Sequence, residues 1–190
     1  MPGPARCWWA GSDPLMVAYH DAEWGVPLGD DQRLFEMLSL EVFQAGLSWQ
    51  TILRKRGVFR SAFRGFEPEI VAAFDDADRA RLMADAGIVR NRAKIDATIG
   101  NARALLELVA SEGSFADYLR RQLGPPTRQP PNATAEDLPA TTPASDSLSR
   151  DLRQRGFRFV GSTIVYAFMQ ATGLVDDHLP GCFRYGAERP

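Results

Sequence analysis

The amino-acid sequence predicts an all-α fold. Strand signals are weak, because runs of alternating β-branched and polar residues are short. Most apolar residues recur instead at the spacing of one helix face, and aspartates or serines stand where several of these stretches begin, as helix caps do.

Taken in order, residues 31–43 carry Leu34, Phe35, Leu38 and Val42 on one face, with Asp30 or Asp31 placed to cap the start. Residues 47–56 read the same way. Pro68 suits a first helical turn and is followed by Ile70, Val71 and Phe74. Residues 93–108 present Ile95, Ile99, Ala102, Leu105 and Leu106 at helical spacing, and Val109 continues the pattern. Ser145 or Asp146 can cap a helix through Arg155, and residues 163–172 make a further helix. Pro125, Pro126, Pro130, Pro131, Pro139 and Pro143 are nearly half of the 13 prolines, so residues 124–147 are expected to be one long irregular connection. The 190 residues suit one unit with two lobes. A central helical lobe spans about 30–123, a second lobe joins about 1–29 to 145–190, and the proline-rich connection at 124–144 links them.

The formal charge of -2 does not announce a nucleic-acid partner, but its distribution is uneven. Arg54, Lys55, Arg56, Arg60 and Arg64 fall together, as do Arg150, Arg153, Arg155 and Arg158. Such runs are usually solvated helix faces; two of them near glycine-containing turns favour phosphate contacts. Lysine occurs only at Lys55 and Lys94, which limits Schiff-base chemistry. No stretch approaches the roughly 18 apolar residues of a membrane span. Residues 1–6, with Pro2, Gly3 and Pro4, lack the apolar core of a secretory signal. A soluble, cytoplasmic protein with no membrane partner is expected.

The chain has two cysteines and two histidines, in two pairs: Cys7 with His20, and His178 with Cys182. Together they could form a closed tetrahedral zinc site of the structural type. Buried cysteines beside hydrogen-bonded histidines, or a Cys7–Cys182 disulfide, are the alternatives, the latter disfavoured inside a cell.

Several blocks carry a resemblance. They are Cys7-Trp8-Trp9, Asp13-Pro14-Leu15, and the run from Tyr19-His20-Asp21 through Trp24-Gly25-Val26-Pro27. Leu34-Phe35-Glu36-Met37, Leu40-Glu41 and Gln44-Ala45-Gly46-Leu47-Ser48-Trp49 follow. Then come the run from Asp85 to Ile95, Ser145-Asp146, the run from Arg155 to Thr163, and Gly173-Leu174-Val175-Asp176-Asp177-His178 with Gly181-Cys182. In this order they resemble the DNA-3-methyladenine glycosylase I family, over essentially the whole chain except the proline-rich connection.

The resemblance implies a helix-hairpin-helix DNA glycosylase fold and one structural Zn2+ per chain, held by Cys7, His20, His178 and Cys182 and tying the N- and C-terminal segments together. It implies a monofunctional enzyme of base-excision repair. Such an enzyme flips 3-methyladenine out of alkylated double-stranded DNA, hydrolyses the N-glycosidic bond and leaves an abasic site. The alternative is a non-catalytic module of the same fold that binds alkylated DNA. Glu41 is the implied catalytic residue, set in the pocket against the amino edge of the base. Tyr19, Trp49, Trp9 and Trp24 are the candidates for holding the base by stacking and cation–π attraction, although aromatics in such numbers are usually core. In the DNA-contacting set, Gln44, Gly46 and Leu47 form a wedge loop, with Gly46 allowing close backbone approach and Leu47 filling the vacated stack. Gly161, Ser162 and Thr163 lie in the hairpin, with Gly161 permitting a tight turn and the following amides open to a phosphate. No lysine follows Gly161, so hydrolysis without strand cleavage is expected. A monomer with no obligate protein partner is expected.

Two positions depart from the pattern. Met16 stands where an aromatic is expected, which removes one stacking wall. Asp176 lies where related helix-hairpin-helix glycosylases have a catalytic aspartate; here it reads as a structural or capping carboxylate beside a zinc ligand, its role left open.

Overall fold

Helices form nearly all the regular structure of the computed structural model, which describes residues 4–187. They are α1 (Pro14–Ala22), α2 (Asp31–Gln44), α3 (Trp49–Ala62), α4 (Pro68–Ala72), α5 (Asp76–Ala84), α6 (Arg92–Glu112), α7 (Phe115–Leu123), α8 (Pro143–Gln154) and α9 (Ser162–Ala171). A two-residue parallel ladder joins β1 (Thr127–Arg128) to β2 (Val175–Asp176), Thr127 opposite Val175 and Arg128 opposite Asp176. None of the described helices is long and apolar enough to cross a membrane.

The sequence marks one apolar face on α2, but residues 34–43 of that helix are buried on every side. The reason is position: α2 runs through the middle of the molecule, packed on α3, α6, α7 and α9. Phe35 and Phe43 of α2 are fully buried with Phe59, Phe63 and Phe66, each contributing about 1.5–3 kcal/mol. A helix enclosed in this way brings its polar residues inside too, Glu41 among them.

Other boundaries differ for local reasons. The third helix begins at Trp49, because the Ser48 side chain accepts from the Thr51 N–H as its cap; Leu47 stays outside. The helix expected to start at Ser145 or Asp146 starts at Pro143 instead. Thr142 is its cap, and the Ser145 hydroxyl reaches back to the Thr142 N–H in a capping box. Three further helices, α1, α5 and α7, are each nine residues long and begin at a capping side chain, Asp13, Asp75 and Ser114. The proline-rich connection is docked rather than merely irregular. Arg128 Nε donates to Asp176 Oδ2 at 2.9 Å, Gln129 Nε2 to Asp177 Oδ1 at 2.9 Å, and the Tyr185 hydroxyl to the Gln129 carbonyl at 2.9 Å.

Candidate active site and metal cluster

A cavity of about 350 Å³ opens where the turn before α1, α1 itself, α2, α3 and α9 meet. Tyr19, Trp49, Trp9, Trp24, Glu41 and Gln44 all line it. Sequence reasoning missed Trp8, Ala167, Gln170 and Leu138, which also contribute. Trp8, 69% exposed at the mouth, sat inside a motif already noted. Leu138 comes from the proline-rich connection, where no periodicity could have pointed to it. Met16 lines the wall as an aliphatic side chain among the rings.

The rings interlock. Trp9 and Trp24 meet edge to face at 4.9 Å between centroids, Tyr19 and Trp49 lie 5.2 Å apart at 45°, and Trp9 and Tyr19 6.2 Å apart. Edge and tilted contacts of this kind hold aromatic walls rigid. Glu41 is 5% exposed among them, and no group among the described residues hydrogen-bonds its carboxyl. Burial pushes that carboxyl from 4.5 up to about 8. Burial and, after it, the charge of Glu41 raise the Tyr19 phenol well above its ordinary value, so it remains a neutral O–H. The Trp49 Nε1 is buried without a partner. The cavity therefore combines apolar aromatic faces with one unpartnered carboxyl, a surface suited to a flat polar ligand that can bring positive charge.

The loop after α2 turns tightly: the Leu47 N–H donates to the Gln44 carbonyl at 2.7 Å and Gln44 Nε2 to the Leu47 carbonyl at 3.1 Å. Leu47 projects from it, 41% exposed. Gly46 sits at φ +82°, a left-handed conformation that favours glycine, and a Cβ there would meet no protein atom within 4 Å. Gln44 links this loop to the cavity wall.

Between α8 and α9 the chain reverses through Gly156 (φ +91°) and Phe159 (φ +56°). Gly161 was expected to permit the turn, but its φ is -62°. It serves as the cap residue of α9, leaving the first amides at Ser162 and Thr163 without a side-chain cap. Arg150 and Arg153 line a groove with Ser162 beside it. The rest of the positive charge is largely engaged elsewhere. Arg155 pairs with Asp151 and Glu112, and Arg54, Arg56 and Arg60 pair with Asp13, Glu23 and Glu36. The run around residue 55 is thus mainly structural. Neither lysine lines the cavity; Lys55 donates to the carbonyls of Ala86 and Gly87.

Cys7, His20, His178 and Cys182 are all buried, with one ligand atom of each lying within 4.8 Å of the others. Cys182 Sγ is 3.4 Å from His20 Nε2 and 3.6 Å from His178 Nδ1, and Cys7 Sγ is 3.6 Å from His178 Nδ1. Tetrahedral zinc, at its usual bond lengths, would separate S and N by about 3.6 Å. The remaining ring nitrogens are fixed, His20 Nδ1 donating to Asp21 Oδ1 at 2.8 Å and His178 Nε2 to the Trp24 carbonyl at 3.3 Å. These bonds turn His20 Nε2 and His178 Nδ1 towards the cluster, where His20 Nε2 also accepts from the Cys7 N–H at 3.3 Å. Arg6 holds Asp21 through two nitrogens at 2.7 Å. The N–H groups of Leu179 and Arg184 approach the two sulfurs at 3.5 and 3.4 Å, as donors to thiolates would. The donor set fits a metal ion. Both cysteines are free, so the disulfide alternative is not formed. Trp24 stands between cluster and cavity, edge-on to His178 at 4.7 Å. Asp176 is buried, pairs with Arg128 and does not line the cavity.

A helical frame that walls one ring-lined cavity around a lone carboxyl defines a protein built to grip a planar ligand. Comparison with known proteins narrows this. A family model for methyladenine glycosylase matches residues 9–185. The DNA-3-methyladenine glycosylase 1 of Escherichia coli (strain K12) is 49% identical over 185 residues, 97% of this chain and 99% of that one. A crystal structure of 3-methyladenine DNA glycosylase I superimposes with a TM-score of 0.91 at 49% identity, covering 95% of this chain and 100% of that chain. A second, from Staphylococcus aureus, solved for the structural basis of 3-methyladenine recognition, has a TM-score of 0.91 at 38% identity and covers 97% of this chain and 98% of that one. The chain belongs to the methyladenine glycosylase family.

Proposed function

We propose that the chain excises 3-methyladenine from alkylated duplex DNA as the first step of base-excision repair, hydrolysing the N-glycosidic bond and leaving an abasic site. The observation that carries this reading is Glu41, buried and unpartnered in an aromatic cage.

The hairpin amides at Ser162 and Thr163, with Arg150 and Arg153, anchor a phosphate without reading sequence. Leu47 enters the stack as the damaged nucleotide turns out, and Gly46 gives the loop its shape. The base then slides between rings, with Tyr19, Trp49, Trp9 and Trp24 as walls. Alkylation at N3 makes the purine cationic. Each aromatic face attracts such a cation by about 0.5–2 kcal/mol, and a cation opposite Glu41 draws its raised pKa back down, so the carboxyl ionises when the right base arrives. A neutral adenine gains neither effect. The C1′–N9 bond breaks with its electron pair passing to the purine, whose charge is thereby cancelled. Water adds to C1′ and releases a proton. Glu41 stabilises the positive charge that moves onto the sugar. With no lysine in the cavity, no Schiff base forms and the strand stays intact.

Cys7, His20, His178 and Cys182 would hold one structural Zn2+, and four protein ligands would leave it no part in activating a water. So held, it would tie Cys7, and His20 of α1, to the segment after β2, where Trp24 and Trp9 pack on the two histidines. In the two-lobe division, the central lobe supplies Glu41, Gln44 and Trp49, the zinc and hairpin lobe supplies the other rings with Ala167 and Gln170, and the connection adds Leu138. A monomer in the cytoplasm is sufficient, since one chain builds the whole cavity.

The test is release of free 3-methyladenine from methylated duplex DNA. Wild type should release it, and Glu41→Gln should lose about a hundredfold in rate or more with the fold intact. Full activity in Glu41→Gln would remove that residue from the mechanism, and no release by wild type would leave the binding-module alternative.

A further inference from the structure

The two buried polar side chains of α6 that reach furthest along the sequence both grip backbone in the segments assigned above to DNA contact. Lys94 is 6% exposed, and its ammonium donates to the Phe43 carbonyl at 2.9 Å and the Ala45 carbonyl at 2.6 Å, where α2 ends and the wedge loop begins. Asn101, fully enclosed, holds the Arg158 peptide from both sides: its Oδ1 accepts from the Arg158 N–H at 2.7 Å and its Nδ2 donates to the Arg158 carbonyl at 3.1 Å. The next residue is Phe159, in a left-handed conformation that a phenylalanine rarely adopts, its ring 45% exposed at the hairpin. Lys94 and Asn101 are two turns apart on one face of the longest described helix, about 10 Å along its axis.

Apolar residues would pack an interior helix without the cost of burying an ammonium and an amide. Here both groups are committed to distant backbone: an ammonium on the last carbonyls of α2, where the helix dipole favours it, and a bidentate amide on the hairpin peptide. We propose that Lys94 and Asn101 are positioning residues that make α6 a rigid spacer between wedge and phosphate anchor, so that seating a phosphate on the hairpin sets Leu47 at the correct depth in the duplex. The proposal rests on the reading of Leu47 as the wedge.

The test is a binding cycle with two labelled duplexes, one undamaged and one carrying a tetrahydrofuran abasic analogue, on zinc-loaded protein. Lys94→Met should raise Kd for the abasic duplex on the order of tenfold and leave the undamaged duplex within about twofold. In a Leu47→Ala background it should add less than about twofold, because the wedge it positions is gone. An equal factor in both backgrounds, or an equal loss on both duplexes, overturns the proposal while leaving the wedge in place. A Leu47→Ala chain that binds the abasic duplex as tightly as wild type removes the wedge, and the proposal with it. If Lys94→Met does not fold, Lys94→Arg carries the same cycle, since it keeps the charge but cannot set it on the same two carbonyls. Asn101→Asp keeps one of the two bonds to Arg158 and should likewise weaken the abasic duplex more than the undamaged one, because a hairpin released from α6 no longer sets the depth of Leu47. Unchanged binding of both, or an equal loss on both, overturns the Asn101 half.

Discussion

Replacing Glu41 by glutamine removes a titrating group from the interior and nearly preserves its shape. In the folded protein burial holds this carboxyl at about 8, against 4.5 for a free one. Below pH 4.5 the group is protonated in folded and unfolded chains alike, and folding is indifferent to it. Between 4.5 and about 8 the unfolded chain gives up a proton that the folded one keeps. Wild-type stability therefore falls as pH rises across that window, by about 1.4 kcal/mol per pH unit, and levels off above it. Glutamine does not titrate. The stability of Glu41→Gln relative to wild type should thus climb with pH, by about 3 kcal/mol between pH 4.5 and pH 7 and about 4 kcal/mol by pH 9. Urea unfolding followed by tryptophan fluorescence at pH 5, 7 and 9, zinc present throughout, measures the difference directly. The mutant should be the more stable protein at neutral pH and the less active one, as expected where stability is given up for function. A difference that stays constant from pH 5 to pH 9 would show that the folded carboxyl titrates normally, and the selection of a cationic base by Glu41 would fall with it.

Removing the metal with a chelator should lower the melting temperature and expose Trp24 and Trp9 to quenchers, because the cluster braces these rings. A stripped protein that keeps its melting temperature but loses activity would point to a catalytic ion. Asp176→Asn should reduce stability through the loss of the pair that the buried Asp176 makes with the half-exposed Arg128, yet leave 3-methyladenine release within about twofold, as its carboxylate lies outside the cavity; a loss on the order of a hundredfold would restore it as a catalytic group. Gly46→Ala places a Cβ at φ +82° and should cost about 1–2 kcal/mol, seen as weaker binding to abasic duplex or as lower stability; an unchanged protein in both respects would refute the strain argument.

Much of the site was legible because its chemistry is scarce. With only two cysteines and two histidines in the chain, a four-ligand cluster had one possible composition, and family motifs carried Glu41 and the aromatics to numbered positions. The helices with clear apolar periodicity were legible too. The nine-residue helices α1 and α5 were not, since two and a half turns give too few repeats for a face to stand out, whereas α7 has a clear apolar face in Phe115, Tyr118 and Leu119 that went unread. Gly46 and Gly161 show the limit of reading a residue type alone. Both were read as turn or approach glycines, but only Gly46 has the backbone angle that demands one.

Sequence by itself determined what chemistry the chain carries: carboxylates on an apolar helix, a set of aromatics, a metal donor set and a hairpin without lysine. Only the tertiary structure decided that these act together. The cavity draws its walls from residues 8–24, 41–49, 138 and 167–170, and the pKa of Glu41 is raised because those separate segments together exclude water from it. Desolvation is a property of everything packed around a group, and no local pattern of residues encodes it.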